Sequence, residues 1–219
     1  ETAPGSSWGA EQRLALLRNE GKVEEAAEIA IALLSEGRDT AYFPDVLRAI
    51  RDYFLKVERT GEALEAYRQI YPELLRDMPD VNRSNLHAAV DLALLLRDVG
   101  DEEAAALLAE RTFPVLDETQ VTAMFGKFLM EVELHAILGD RDRAIAAFSE
   151  IVDAGWNIYI SPHNVNLASI ADDPEYLRLL EVVEARVAAE RARVREMEDN
   201  GQLARTPDEL ASISFDLGI

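Results

Sequence analysis

Four stretches of this chain share one frame: "EGKVEEAAEIA" from Glu20, "TGEALEAYRQI" from Thr60, "VGDEEAAALLA" from Val99 and "LGDRDRAIAAF" from Leu138. Each has a glycine, four mostly polar residues and then an alanine. The glycines are Gly21, Gly61, Gly100 and Gly139, spaced by 40, 39 and 39 residues. The alanines are Ala26, Ala66, Ala105 and Ala144. A fixed period of this length is the signature of a repeat array.

Physical chemistry assigns a role to each part of the frame. Before each glycine, apolar residues recur at three and four: Leu14 and Leu17; Val46, Leu47, Ile50 and Phe54; Leu86, Val90 and Leu94; Phe125, Phe128, Leu129 and Val132. That spacing places them on one buried face of a helix. The glycine then stops the helix in the left-handed conformation. A second amphipathic helix starts at once, and its early alanine permits close approach. Each unit is therefore expected to be a helical hairpin.

Composition agrees with a helical chain. The hydrophobic fraction is 48%, and aromatics are only 7%. Ala and Leu dominate the apolar residues, a helix-forming vocabulary. No apolar run is long enough to cross a membrane as a helix. The net charge of −20 opposes binding to nucleic acid, whose phosphates would be repelled. There is no Cys, which excludes disulfide and thiolate chemistry.

The frame resembles the tetratricopeptide repeat (TPR) family. That family's pattern has Gly-Asp between two helices, Ala five residues after the Gly and an aromatic nine after it. Gly100–Asp101–Ala105 and Gly139–Asp140–Ala144–Phe148 fit it well. Gly61–Ala66 and Gly21–Ala26 fit more loosely, with Ile70 and Ala30 in the aromatic slot, and Pro79 lies near the family's closing proline. The resemblance covers Ala10 to Gly155. The period exceeds the usual ~34 residues, and the family's first-helix Trp and Tyr are mostly replaced. HEAT-like or irregular helical pairs are the alternatives. The resemblance implies an all-α fold: a right-handed superhelix of about four TPR-like hairpins.

The stretch after Gly155 breaks the pattern. Residues 156–201 are expected to form a crossing segment and then a long capping helix. Asp173–Pro174 marks that helix's start, and Asn200–Gly201 its end. Leu177, Leu180, Val183, Val187, Val194 and Met197 form its expected apolar stripe. Leu180, Val187 and Val194 are seven apart, a spacing that allows a weak homodimer beside the monomer. Residues 1–9 read as a flexible lead. Residues 202–219 read as a tail with a short helix capped at Thr206 and Glu209. Ala154–Gly155–Trp156 and Asp172–Asp173–Pro174–Glu175–Tyr176 are similar to the segments that close TPR arrays in some bacterial signalling proteins. The first residue is not Met, which suggests a processed protein or an excised fragment. Together with the lack of Cys, this slightly favours an extracytoplasmic location over a cytoplasmic one.

Signals for chemistry are few. Glu131 and His135 lie four apart on one helical face, a metal-compatible spacing that a surface ion pair explains better. His163 sits in a polar loop with Asn164 and Asn166, whose turn-forming character accounts for them. There is no phosphate loop, Gly-x-Ser-x-Gly or HExxH. No catalytic residue, metal site or cofactor is expected.

Charge is sorted by helix. The first helices of the four units are near neutral, and the second helices are strongly acidic. In the resembled family the first helices line a concave groove. Counting back ten, six and three residues from each glycine gives groove positions that include Arg18, Arg51, Leu55, Val90, Leu94, Arg97 and Leu129. The arginines suit a carboxylate, and the apolar residues form a floor. The expected function is a non-catalytic protein–protein interaction module that holds a peptide or protein segment in this groove. The alternative is a small-anion sensing domain of a larger signalling protein.

Overall fold

A computed structural model of the chain describes residues 7–35, 44–118 and 127–202. The lead before Ser7, Phe125 and the tail around Thr206 and Glu209 lie outside the described residues. The described residues are helical and contain no strand. The helices are α1 (Ser7–Asn19), α2 (Val23–Ser35), α3 (Pro44–Lys56), α4 (Thr60–Ile70), α5 (Leu86–Asp98), α6 (Glu102–Glu118), α7 (Lys127–Ile137), α8 (Arg141–Asp153) and α9 (Pro174–Asp199). Short 3-10 turns lie at Pro72–Leu75 and Val165–Ile170. The first helix starts at Ser7, inside the stretch expected to be a flexible lead. None of the described helices is long and apolar enough to cross a membrane.

Each helix packs on the next from α1 to α9. In addition α1 packs on α3, α3 on α5, and α5 on α7, so these four helices form one continuous layer. Three apolar clusters run along the molecule. Leu14, Ala30 and Ile50 belong to the first; Leu47, Tyr67, Leu92 and Leu108 to the second; Val132, Phe148, Leu167 and Tyr176 to the third. Burial of each large side chain stabilises the fold by about 1.5–3 kcal/mol.

The hairpin turns use one device. Gly21, Gly100 and Gly139 have φ of 71°, 85° and 76°. At each, two N–H groups reach back to the carbonyls that the helix end leaves open. Gly100 N–H donates to Arg97 O at 2.9 Å, and Asp101 N–H to Leu96 O at 2.9 Å. The first and fourth turns repeat this pair. It is the αL stop that satisfies orphan carbonyls at a helix C-terminus.

The second hairpin departs from the expected register. Gly61 lies within α4 and has no positive φ. The left-handed position is Glu58, at φ 58°, with Glu58 N–H donating to Leu55 O at 3.2 Å and Arg59 N–H to Phe54 O at 2.8 Å. The stops are therefore Gly21, Glu58, Gly100 and Gly139, spaced by 37, 42 and 39 residues. The extra 3-10 turn and loop before α5 account for the long interval. In this register the residues five after each stop are Ala26, Ala63, Ala105 and Ala144, and none is more than 1% exposed. Nine after each stop come Ala30, Tyr67, Ala109 and Phe148, all 0% exposed. In the second unit the residue nine after the stop is thus Tyr67, and not Ile70.

A non-glycine residue in this conformation is strained. Glu58 is exposed, so its replacement forfeits little. Glu58→Gly is expected to stabilise the chain by roughly 1 kcal/mol, read as a higher urea midpoint at unchanged slope. Gly139→Ala is expected to do the opposite, since its Cβ would also lie 3.0 Å from the Arg97 guanidinium.

The last helix keeps its cap and part of its expected face: Val183 is buried, and Leu180 and Val187 pack against the same cluster. Asp173 Oδ1 accepts from Glu175 N–H at 2.9 Å and Tyr176 N–H at 3.2 Å, with Pro174 in the first turn. Tyr176, Leu179 and Val183 are the buried residues of α9, while Leu177 and Val194 are exposed. Arg186 closes the end of α8 by donating to Val152 O at 2.5 Å. From Ala188 to Glu196 the helix is exposed on every face.

Candidate binding face

The face of the α1–α3–α5–α7 layer is crossed by the chain itself. The segment from Trp156 to Ala171 leaves α8 and lies against α7. Its asparagines reach far across the layer. Asn164 Nδ2 donates to Glu133 on α7 at 2.8 Å. Asn166 Oδ1 accepts from Arg51 Nη1 on α3 at 3.1 Å, and its Nδ2 donates to Asp91 on α5 at 3.3 Å. Ser169 Oγ donates to Ala136 O at 2.7 Å. At the α1 end the His163 ring lies over Gly21, where an added Cβ would meet it at 2.9 Å. Asn164 also forms the local turn, accepting from Asn166 N–H at 3.1 Å.

Asp91 is the hub of the face. It is 1% exposed and sits in the apolar run of α5. Its carboxylate accepts from Arg48 Nε at 2.9 Å, from Arg51 Nη1, from Tyr67 Oη at 3.0 Å and from Asn166. Burial disfavours its charge, but Arg48 and Arg51 more than offset this and hold the carboxyl well below the usual carboxylate range. Burial likewise opposes the charge of Arg51, and Asp52 and Asp91 restore it. Arg51 also donates to Asp52 through Nε at 2.9 Å and Nη2 at 2.7 Å. Arg18 extends the chain of pairs, to Asp52 at 2.9 Å and Asp45 at 2.6 Å. Three arginines thus meet three aspartates in one network of pairs.

This geometry redistributes the expected groove residues. Arg51 is 0% exposed and lies beneath the crossing segment, where it faces no open groove. The register is also shifted: the same count made from Glu58 gives Arg48, Asp52 and Leu55 in place of Arg51, Leu55 and Glu58. Val90 is 0% exposed within the middle cluster, because α5 is covered on several sides. Arg18 is 16% exposed and committed to its two aspartates. Leu55, Leu94, Arg97 and Leu129 are half-buried and line cavities beside the crossing segment. One cavity of about 570 Å³ is lined by Leu55, Lys56, Gly21 and Val165 among others. A second, of about 390 Å³, is lined by Leu94, Arg97, Ala136 and Ser169. A third, of about 240 Å³, lies between α1, α3, α7 and residues 159–164.

The residues that build this face and that sequence reasoning did not single out are Arg48, Asp52, Tyr67 and Asp91; Glu133, six before Gly139, is one of the positions the groove count gives. Asp91 carried one signal, a lone carboxylate inside "LHAAVDLALLL". The spacing of Glu131 and His135 is metal-compatible but better explained by a surface ion pair. His135 packs on Phe113, with ring centroids 4.7 Å apart, and burial lowers its pKa. Among the described residues no three metal-ligating groups come together.

His87 gives the face a pH dependence. Burial first, and then Arg48, lower its pKa from 6.5 to about 4, against smaller opposing effects of Asp91 and Asp45. Its Nδ1 is buried without a hydrogen-bond partner. The unfolded chain takes up a proton near pH 6.5, and the folded one only near 4. The unfolded state binds more protons in between, so stability falls as pH drops through that window. The expected loss is on the order of 2 kcal/mol, allowing for partial exposure. Urea titrations on either side of the window should show it, and His87→Gln should flatten it.

No family model, curated protein or solved structure matches this chain.

Proposed function

We propose that the chain is a non-catalytic binding module, a right-handed array of four TPR-like hairpins closed by α9, that holds a segment of another protein on its inner face. The stop-and-alanine frame supports the TPR-like reading. The observation that carries the binding role is the row formed by the ends of α1, α3, α5 and α7. Leu55 and Leu94 flank the crossing segment there, each lining a cavity. Arg97 stands at the end of the row with no ion pair among the described residues. Apolar contact supplies most of the affinity, and Arg97 orients an acidic group of the partner. Because residues 156–171 cover the middle of the face, the partner lies along this row and not through the centre.

The test is photo-crosslinking in the source cells with benzoylphenylalanine at Leu55 or Leu94, and at Glu103 on the exposed side of α6 as control. Discrete adducts are expected from Leu55 and Leu94, with Arg97→Glu reducing them by about tenfold, the effect of 1.4 kcal/mol. Adducts from Glu103 alone, or adducts indifferent to Arg97→Glu, contradict the reading.

A further inference from the structure

The 240 Å³ cavity is chemically unlike the row. It opens between α1, α3 and α7 under Tyr159 and Asn164, and Arg48 and Glu133 both line it. Glu133 is 3% exposed, and its Oε1 accepts from a neutral amide, Asn164 Nδ2, at 2.8 Å. Arg48 spends Nε on Asp91, yet its Nη2 is buried with no hydrogen-bond partner. Arg48 and Glu133 interact electrostatically but make no ion pair within 4.0 Å. A buried guanidinium nitrogen is thus left without a hydrogen-bond partner, and a buried carboxylate has a hydrogen bond but no ion pair among the described residues, which is costly on each side. Of the remaining charges of the wall, Arg18 pairs with both Asp45 and Asp52, and Arg51 behind the wall supplies the second positive charge through Asp52.

From this we infer that the cavity binds a small zwitterion of the α-amino acid type, its carboxylate on Arg48 and its ammonium on Glu133. One molecule then gives Arg48 Nη2 an acceptor at one end and Glu133 a positively charged donor at the other. A lone anion satisfies Arg48 and repels Glu133, and a lone cation does the reverse. The volume corresponds to about eight water-sized groups of ~30 Å³ each, enough for a small amino acid. Leu129 supplies an apolar wall for its side chain. The inference is independent of the protein-binding row, because Leu94 and Arg97 do not line this cavity.

The experiment is calorimetric titration and thermal melting of the full chain with the proteinogenic amino acids, with acetate and methylammonium as one-ended probes. At least one amino acid should bind saturably at millimolar concentration and raise Tm, and neither one-ended probe should do so. Glu133→Gln, which removes the charge and keeps the shape, should weaken binding by more than about tenfold, as expected for a lost charge-assisted pair. Leu129→Trp should block binding by filling the cavity while leaving every charged group in place. The inference is overturned if no amino acid binds, if acetate binds as well as any amino acid, or if binding survives both variants.

Discussion

Asp91→Ala is expected to destabilise the chain by about 3–5 kcal/mol, the cost of stranding buried charges after one partner is removed. Total stability of a domain is commonly 5–15 kcal/mol, so this variant should sit near unfolding at physiological temperature. The reason is specific. Arg48, Arg51, Tyr67 and Asn166 all donate to this carboxylate, from α3, α4 and the crossing segment. Arg51 is 0% exposed and keeps only Asp52 as a charged partner after the change. An exposed pair such as Arg68 with Glu65 gives the comparison: Glu65→Ala should change stability by less than about 1 kcal/mol. Urea denaturation of both variants decides it. Because the folded pKa of Asp91 is depressed, its contribution is present above pH 3.8 and is lost only as pH falls below that value.

Leu167→Ala is expected to cost about 2–5 kcal/mol, as much as a helix-core truncation. Leu167 lies in a 3-10 turn between helices, where a surface loop residue would cost within about 0.5 kcal/mol. It is 2% exposed and packs in one cluster with Val132 of α7, Phe148 of α8 and Leu179 of α9. Ile170, also 2% exposed in that cluster, should behave alike. A small effect at both sites would show that the crossing segment merely rests on the layer.

The hairpins were legible because their signals are local. A glycine at positive φ, an alanine five later and an apolar face before it can be read within about twenty residues, as at Gly100 and Gly139. The cap of α9 was legible for the same reason, since Asp173 and Pro174 act on the next three residues. Glu58 was not legible: it pays a conformational penalty that glycine avoids, and Gly61 three residues on offered a better match. That slip moved Arg51 from the interior to an imagined open groove. Ala63 and Tyr67 were present to correct it, since they fit the frame counted from Glu58.

The crossing segment was hidden for a different reason. Asn166 and Arg51 are 115 residues apart, and no periodicity connects them. The turn reading of "SPHNVN" was true, as Asn164 does bond to Asn166 N–H. Nothing in a local motif reports that the same side chains also bond across three helices. Charge composition was misleading in the same way. The near-neutral first helices looked like an uncommitted groove, but Arg18, Arg48 and Arg51 are committed to Asp45, Asp52 and Asp91.

The account of this face has the crossing segment docked on the layer, and Asn164 meeting Glu133 is the contact that closes the cavity. A double-mutant cycle of Asn164→Ala and Glu133→Ala, read by urea denaturation, tests that contact directly. An amide donating to a carboxylate at 2.8 Å in a buried setting should give a coupling of about 1 kcal/mol or more. Additivity within ~0.3–0.5 kcal/mol would mean that the two side chains do not meet. In that case residues 159–164 do not close over Glu133, and the cavity between α1, α3 and α7 does not exist in the form described.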